Sequence, residues 1–184
     1  MQQSDQNGVR PPYVNPNTVC CFTGNRPQSL PWGADETDPR CLAVKANLRA
    51  LTAQLIGTGY AHFICGGATG GDMYFAEAVL SLKHQYPPIR LECALPCPGH
   101  DRMWDRESRL RLKDILSRCD YVTNVSGVYF DGCMQARNRY MLSVSSALIH
   151  LCYTSVGGAA STIKAAKKRG LILWDAALTR FGKT

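Results

Sequence analysis

Short apolar runs alternate along this chain with longer segments of helical periodicity, and glycine- or proline-bearing turns separate them. The clearest unit is His62–Cys65, then Gly66-Gly67-Ala68-Thr69-Gly70-Gly71-Asp72, then Met73–Leu82, where Met73, Ala76, Glu77, Leu80 and Lys83 recur at helical spacing. A strand that feeds a helix through a tight glycine turn constrains the whole architecture. Successive strands joined by helices run parallel, because a parallel pair needs a long crossover connection. Parallel strands are covered on both faces, so they read as nearly continuous apolar runs rather than as alternating ones.

The same alternation extends to both sides. Strands are predicted at Thr18–Phe22, Ile89–Leu95, Asp120–Val125, Ala147–Tyr153 and Leu171–Trp174. Helices are predicted at Cys41–Ile56, Trp104–Cys119, Cys133–Ser145 and Ala159–Arg169. In the first of these helices Leu42, Lys45, Leu48 and Leu51-Thr52-Leu55 mark the inner stripe; in the second, Leu110, Leu112, Ile115 and Leu116 do. Trp32–Gly33 and Asp35–Pro39 read as a polar excursion. The expected fold is α/β: a Rossmann-like, doubly wound, mainly parallel sheet with helices on both faces. Residues 1–17, with Pro11, Pro12 and Pro16, read as a flexible tail, and residues 18–184 as one domain.

Composition narrows the function classes. The 184 residues carry 45% hydrophobic and 19% charged side chains, as globular chains do. No run of 18 apolar residues occurs and the N-terminal stretch has no apolar core of a leader, so no membrane is expected and the cytoplasm is. Nine cysteines without a signal segment read as reduced thiols; Cys21, Cys65, Cys93 and Cys152 sit in apolar runs as small hydrophobes. Cys93, Cys97 and His100 lack standard zinc spacing, so no metal is expected, and no motif calls for a cofactor. The net charge of +7 favours anionic partners. Its clusters, Arg102, Arg106, Arg109, Arg111, Lys113 and Arg118 with Lys164, Lys167, Lys168 and Arg169, read first as solvated helix faces and second as a nucleic-acid surface.

In a doubly wound sheet ligands bind beyond the carboxyl ends of the strands. Four polar segments fall there: Thr23–Pro27, Gly66–Asp72, Pro96–His100 and Ser155–Thr162. Glycines let backbone N–H groups approach an anion, and a helix N-terminus adds free donors. The expected ligand residues are therefore Thr23, Gly24, Arg26, Gly66, Gly67, Thr69, Gly71, Asp72, Arg137, Asn138, Gly157, Gly158, Ser161 and Thr162. Each has a purely structural alternative: a tight turn for the glycines, capping for Asp72, Ser161 and Thr162, a loop-tethering ion pair for Arg26.

These motifs resemble the SLOG superfamily, which joins DprA/SMF proteins to LOG-type phosphoribohydrolases, and are most like its YpsA-like branch. Phe22-Thr23-Gly24-Asn25-Arg26-Pro27 is similar to F-T-G-H-R-P, and Gly66–Asp72 to G-G-A-x-G-x-D. Met134–Met141 is similar to M-x-x-R-N-x-x-M, and Gly157–Thr162 to G-G-T-x-x-T. The resemblance implies a Rossmann-like fold and a nucleotide-derived small-molecule ligand, and it admits a homodimer. LOG-type enzymes cleave an N-glycosidic bond with an Arg and with the Glu of P-G-G-x-G-T-x-x-E. Arg137 matches the Arg, but Lys164 stands at the spacing of the Glu, Val156 at the Pro and Ala160 at the second Gly; Asn25 replaces a His. Arg137 and Asp72 remain candidate catalytic groups, with Asp101 and Asp131 as other carboxylates near that edge. Three functions stay open: a nucleotide-binding module acting as sensor, carrier or sequestering protein; a phosphoribohydrolase with a displaced carboxylate; and DprA-like single-stranded DNA binding.

Overall fold

The computed structural model describes residues 15–178. Of the expected N-terminal tail, residues 1–14 lie outside that range, as do residues 179–184 at the other end; Pro16–Thr18 form a short 3-10 turn capped by Asn15. The elements follow in strict alternation: β1 (Val19–Gly24), α1 (Pro39–Gly57), β2 (His62–Cys65), α2 (Gly71–Leu82), β3 (Arg90–Leu95), α3 (Arg106–Arg118), β4 (Tyr121–Asn124), α4 (Cys133–Ser143), β5 (Ala147–Leu151), α5 (Gly158–Lys168) and β6 (Ile172–Asp175). Among the described residues the six strands make one sheet, all parallel, in the order β4-β3-β2-β1-β5-β6. None of the described helices is long and apolar enough to cross a membrane.

Strand alternation assigns the two faces. Cys20, Phe22, Phe63, Cys65, Leu91 and Cys93 point into a large core that they share with α1, α2 and α3. Val19, Cys21, Ile64, Ala94 and Leu148 point the other way, against Met141 and Leu142 of α4 and Ala166 of α5. Helix α2 lies between α1 and α3 and is buried on nearly every side, with Phe75 stacked on Phe22 at 4.7 Å. The chain builds β1 to β4 outward in one direction, then returns to the other side of β1 for β5. That reversal leaves a crevice between the carboxyl ends of β1 and β5, the place where such sheets bind ligands.

Several expectations shift in detail. The inner stripe of α1 is Cys41, Val44, Leu48, Thr52 and Leu55, whereas Leu42 is exposed. Asp38 caps the helix by accepting from Arg40 N, and Pro39 opens it, so the turn begins before the apolar run and the small Cys41 and Val44 take the core. Leu110 of α3 is likewise exposed, leaving Leu112 and Ile115 inward. The excursion after β1 is partly core: Leu30 and Trp32 are buried, and Trp32 meets Tyr153 edge-on at 5.7 Å. Arg111 is not a solvated cation, since it bridges Glu77 and Glu36 between elements. Strand β5 stops at Leu151 because Tyr153 N turns to Asn25 Oδ1 at 2.6 Å, and Cys152 is half-buried beyond the strand.

Candidate functional site

The crevice at the reversal holds a cleft of about 260 Å³, lined from β1 and its loop by Thr23, Gly24, Asn25 and Arg26, from α4 by Met134, Arg137 and Asn138, and from the β5–α5 turn by Thr154, Gly157 and Gly158. Ala68 and Asp72 complete its floor. Asn25 ties these walls together. Its backbone N–H donates to Leu151 O at 2.9 Å, its Oδ1 accepts from Tyr153 N, its Nδ2 donates to Thr154 Oγ1 at 3.2 Å and its backbone oxygen accepts from Gly71 N at 3.1 Å.

That last bond decides what the first glycine turn can do. Gly71 N–H at the start of α2 is occupied by Asn25, and Gly66 N–H donates to Asp72 Oδ1 at 2.6 Å. The turn therefore satisfies these two donors internally. Gly70, at φ +81°, is there because a Cβ would strike Asn25 O and Pro27 Cδ, both at 2.9 Å. A Cβ on Gly67 would meet Leu95 Cδ2 at 2.8 Å, away from the cleft. Gly66, Gly67, Thr69 and Gly71 thus support the floor rather than line it.

The second glycine turn is open. No side chain caps α5; its N-cap is Gly157, and a Cβ on Gly158 would meet nothing within 4 Å. Its first turn contains no acidic residue, so unpaired N–H donors and the positive helix end face the cleft. Thr162, expected at a ligand, instead donates back to Gly158 O at 2.8 Å and accepts from Asn138 Nδ2 at 2.9 Å. It fixes the turn and the Asn138 amide. Ser161 and Thr162 line an adjoining depression between α4 and α5, not the cleft itself.

Arg137 supplies the charge. It is 7% exposed, yet its Nε and Nη1 have no hydrogen-bond partner. Buried guanidinium nitrogens are costly to leave unpaired. Burial pulls the Arg137 pKa down, and the nearby Asp72 carboxylate opposes that pull. Burial likewise pushes the Asp72 pKa up, with Arg137, Gly66 N–H and Arg26 acting against it. Arg26 is exposed at the cleft mouth. The Arg137 guanidinium lies over Gly66, where a methyl group would overlap it and come within 2.9 Å of Asp72 Oδ1. Gly66→Ala is therefore expected to displace Arg137, weaken anion binding and cost about 1–3 kcal/mol, read from chemical denaturation. Unchanged stability and anion affinity would show that Arg137 moves aside freely.

The motif residues from β1, the glycine turn after β2, α4 and the start of α5 thus meet at one crevice. The sequence profile of the YspA SLOG family matches residues 20–169. The chain belongs to the YspA SLOG family. A UPF0398 protein of Halalkalibacterium halodurans is 31% identical over 118 residues, 62% of this chain and 62% of that protein. The SPbeta prophage-derived protein YoqJ of Bacillus subtilis is 30% identical over 152 residues, 74% of this chain and 89% of YoqJ. The fold is that of DNA processing protein A from Helicobacter pylori (TM-score 0.59, 19% identity, 88% of this chain and 65% of that one). It is also that of the Streptococcus pneumoniae protein of the same name (TM-score 0.55, 14% identity, 86% of this chain and 50% of that one).

In this YspA SLOG family chain the departures from the LOG pattern have definite places. Lys164 is exposed on α5 and lines neither the cleft nor the adjoining depression. Asp72 is the carboxylate among the residues lining the cleft. Among the described residues no three His, Cys, Asp or Glu side chains converge as a metal site requires. Cys93 instead packs its thiol between those of Cys65 at 3.4 Å and Cys119 at 3.3 Å.

One polar cluster escaped the sequence reading. Glu92 on β3 is 1% exposed and accepts from Thr123 Oγ1 at 2.7 Å and Tyr140 OH at 2.8 Å, while its other oxygen is 2.8 Å from His62 Nε2. The signal available was a lone Glu inside the apolar run Leu91–Leu95, which a strand covered on both faces accepts only with partners.

Proposed function

We propose that this chain binds a nucleotide or ribose-phosphate derivative and serves as a sensor, carrier or sequestering module for it. The observation that carries the reading is Arg137, buried at the cleft with Nε and Nη1 unpartnered, beside the uncapped N-terminus of α5. A phosphate there would satisfy the guanidinium and the helix donors at once. Thr23, Gly24, Arg26, Asn138, Gly157 and Gly158 would surround it, with Asp72 in reach of a ribose hydroxyl. Mass spectrometry of small molecules released on denaturing the purified chain tests the reading; a phosphate-bearing compound supports it.

Binding without turnover is the expected behaviour. Glycosidic cleavage develops positive charge on the ribose, which a carboxylate must stabilise. Asp72 already accepts from Gly66 N–H and lies in the field of Arg137, and Lys164 stands outside the cleft. Incubation with AMP, followed by HPLC, should release no adenine above the buffer control. Rapid release would overturn the binding reading and make Asp72 the first residue to test as catalyst.

A second reading has one observation of its own. The Helicobacter pylori protein is described by its single-stranded DNA binding mode. Here Met103, Val128, Tyr129 and Phe130 are exposed on loops after β3 and β4, with Arg102 exposed beside Met103 in sequence and Arg106 exposed at the start of α3. Exposed aromatics and arginines together suit stacked bases and phosphates. Oligonucleotide binding that weakens steeply with salt, and that falls in a Tyr129→Ala, Phe130→Ala double variant, would favour it.

A further inference from the structure

Three cysteines meet away from the cleft, on the face of the sheet that α1, α2 and α3 cover. Cys65 and Cys93 sit opposite each other on the paired strands β2 and β3, and both are fully buried. Cys119 follows α3 as its C-cap and is half-buried. Its Sγ donates to Cys93 Sγ at 3.3 Å, and Cys65 Sγ lies 3.4 Å from the same sulfur.

The three differ in what can reach them. A reagent from solvent meets Cys119 before the other two, because the sheet and its helices close over Cys65 and Cys93. Cys119 also stands outside the strand ladder: its N–H donates to Ile115 O in the last turn of α3, so sheet register does not fix its side chain. A disulfide needs about 2.0 Å between sulfurs, so Cys119 and Cys93 have to close by about 1.3 Å from their 3.3 Å separation. A rotation of the Cys119 side chain supplies a shift of that size. Hydrogen bonds with the Cys119 and Cys65 thiols, and burial, hold the Cys93 thiol well above its ordinary range. Cys93 therefore stays protonated and inert until a sulfur beside it is activated.

We propose that Cys119 and Cys93 form a redox modification site, at which a hydroperoxide oxidises Cys119 and Cys93 resolves the product to a disulfide. The Cys119 sulfur, having lost its proton, attacks a peroxide oxygen and the O–O bond breaks. The sulfur is oxidised to a sulfenic acid; the peroxide is reduced and leaves as an alcohol, or as water from hydrogen peroxide, taking up the proton the thiol gave up. The Cys93 sulfur then attacks the Cys119 sulfur. The S–O bond breaks and the hydroxyl departs as water with the Cys93 proton. Two thiols and one hydroperoxide thus give one disulfide, one alcohol and one water. Cys152 is the internal contrast: it is also half-buried, but its thiol donates to Thr154 O at 3.1 Å rather than to a second thiol. Oxidation there stops at the sulfenic acid.

The test treats the whole folded chain with hydrogen peroxide, blocks the remaining thiols under denaturation and maps unreduced peptides by mass spectrometry. Wild type should yield peptides joined through Cys93 and Cys119, separated again by dithiothreitol. Cys93→Ala should lose that link and leave Cys119 as a sulfenic acid that dimedone labels. Cys119→Ser, at a half-buried position, keeps the core intact and should form no link at all. No Cys93–Cys119 link at a peroxide dose that oxidises the urea-unfolded chain overturns the proposal. So does an equal yield of that link from the unfolded chain, because the fold would then contribute nothing to the pairing. A Cys65–Cys93 disulfide forming in Cys119→Ser at the wild-type rate would place the point of entry elsewhere and overturn the role of Cys119.

Discussion

Arg137→Ala should abolish nucleotide-induced thermal stabilisation while the chain still folds. The expected loss is at least about 2 kcal/mol, roughly thirtyfold in affinity, because hydrogen bonds to charged groups contribute about 1.5–3 kcal/mol each. Arg137→Lys should recover only part of it, since an ammonium has no planar fork to meet two phosphate oxygens. The variant also changes Asp72, whose buried carboxylate loses the cation that favours its charged form. Folding is therefore measured without ligand, and a double variant, Arg137→Ala with Asp72→Asn, removes both charges while keeping an acceptor for Gly66 N–H. The double variant should melt near the wild type and still fail to bind. A folded Arg137→Ala chain with wild-type affinity for AMP would assign Arg137 to the fold alone.

How much of this was legible in the sequence depends on the range of the interaction. The alternation of apolar runs with helical segments determined the parallel sheet and its two covered layers, because crossover geometry leaves few alternatives. The point of reversal was not legible: nothing local in Ala147–Leu151 says that β5 pairs with β1 rather than β4. Segments after β1, β2 and β5 and the start of α4 meet at one crevice, which Pro96–His100 does not line, and the two glycine turns proved unlike. Their compositions are similar, but Asn25 and Asp72 occupy donors of the first while no side chain caps the second. Such occupancy comes from side chains and carbonyls distant in sequence. Arg137 mid-helix reads as a solvated residue until its family motif is considered, and its burial follows from Gly66 leaving room beneath it. Glu92 was missed for the same reason, since its partners sit on β2, β4 and α4.

Glu92 carries the largest expected effect on stability. Glu92→Ala leaves His62 and the Thr123 hydroxyl without their acceptor and opens a hole beside the sheet. Removing one member of a buried charged network costs about 3–5 kcal/mol. For a chain of this size that lowers Tm by about 6–20 °C. The pH dependence gives a sharper check. Burial alone would raise the Glu92 pKa, but the hydrogen bonds from His62, Thr123 and Tyr140 outweigh it and hold the pKa below the usual carboxylate value. A carboxylate with a depressed folded pKa adds stability that is present above the unfolded value, about 4.3, and is lost as pH falls through the folded one. Asp72 acts with the opposite sign: its raised pKa opposes folding at neutral pH, and acidification relieves it. Glu92→Gln separates the two, because it removes the first contribution and leaves the second. The stability difference between wild type and Glu92→Gln, from urea unfolding at successive pH values, should be largest near neutrality. It should shrink as pH falls below about 4.3. A difference that stays constant across that range would mean that Glu92 supports the fold through shape and hydrogen bonds, without its charge.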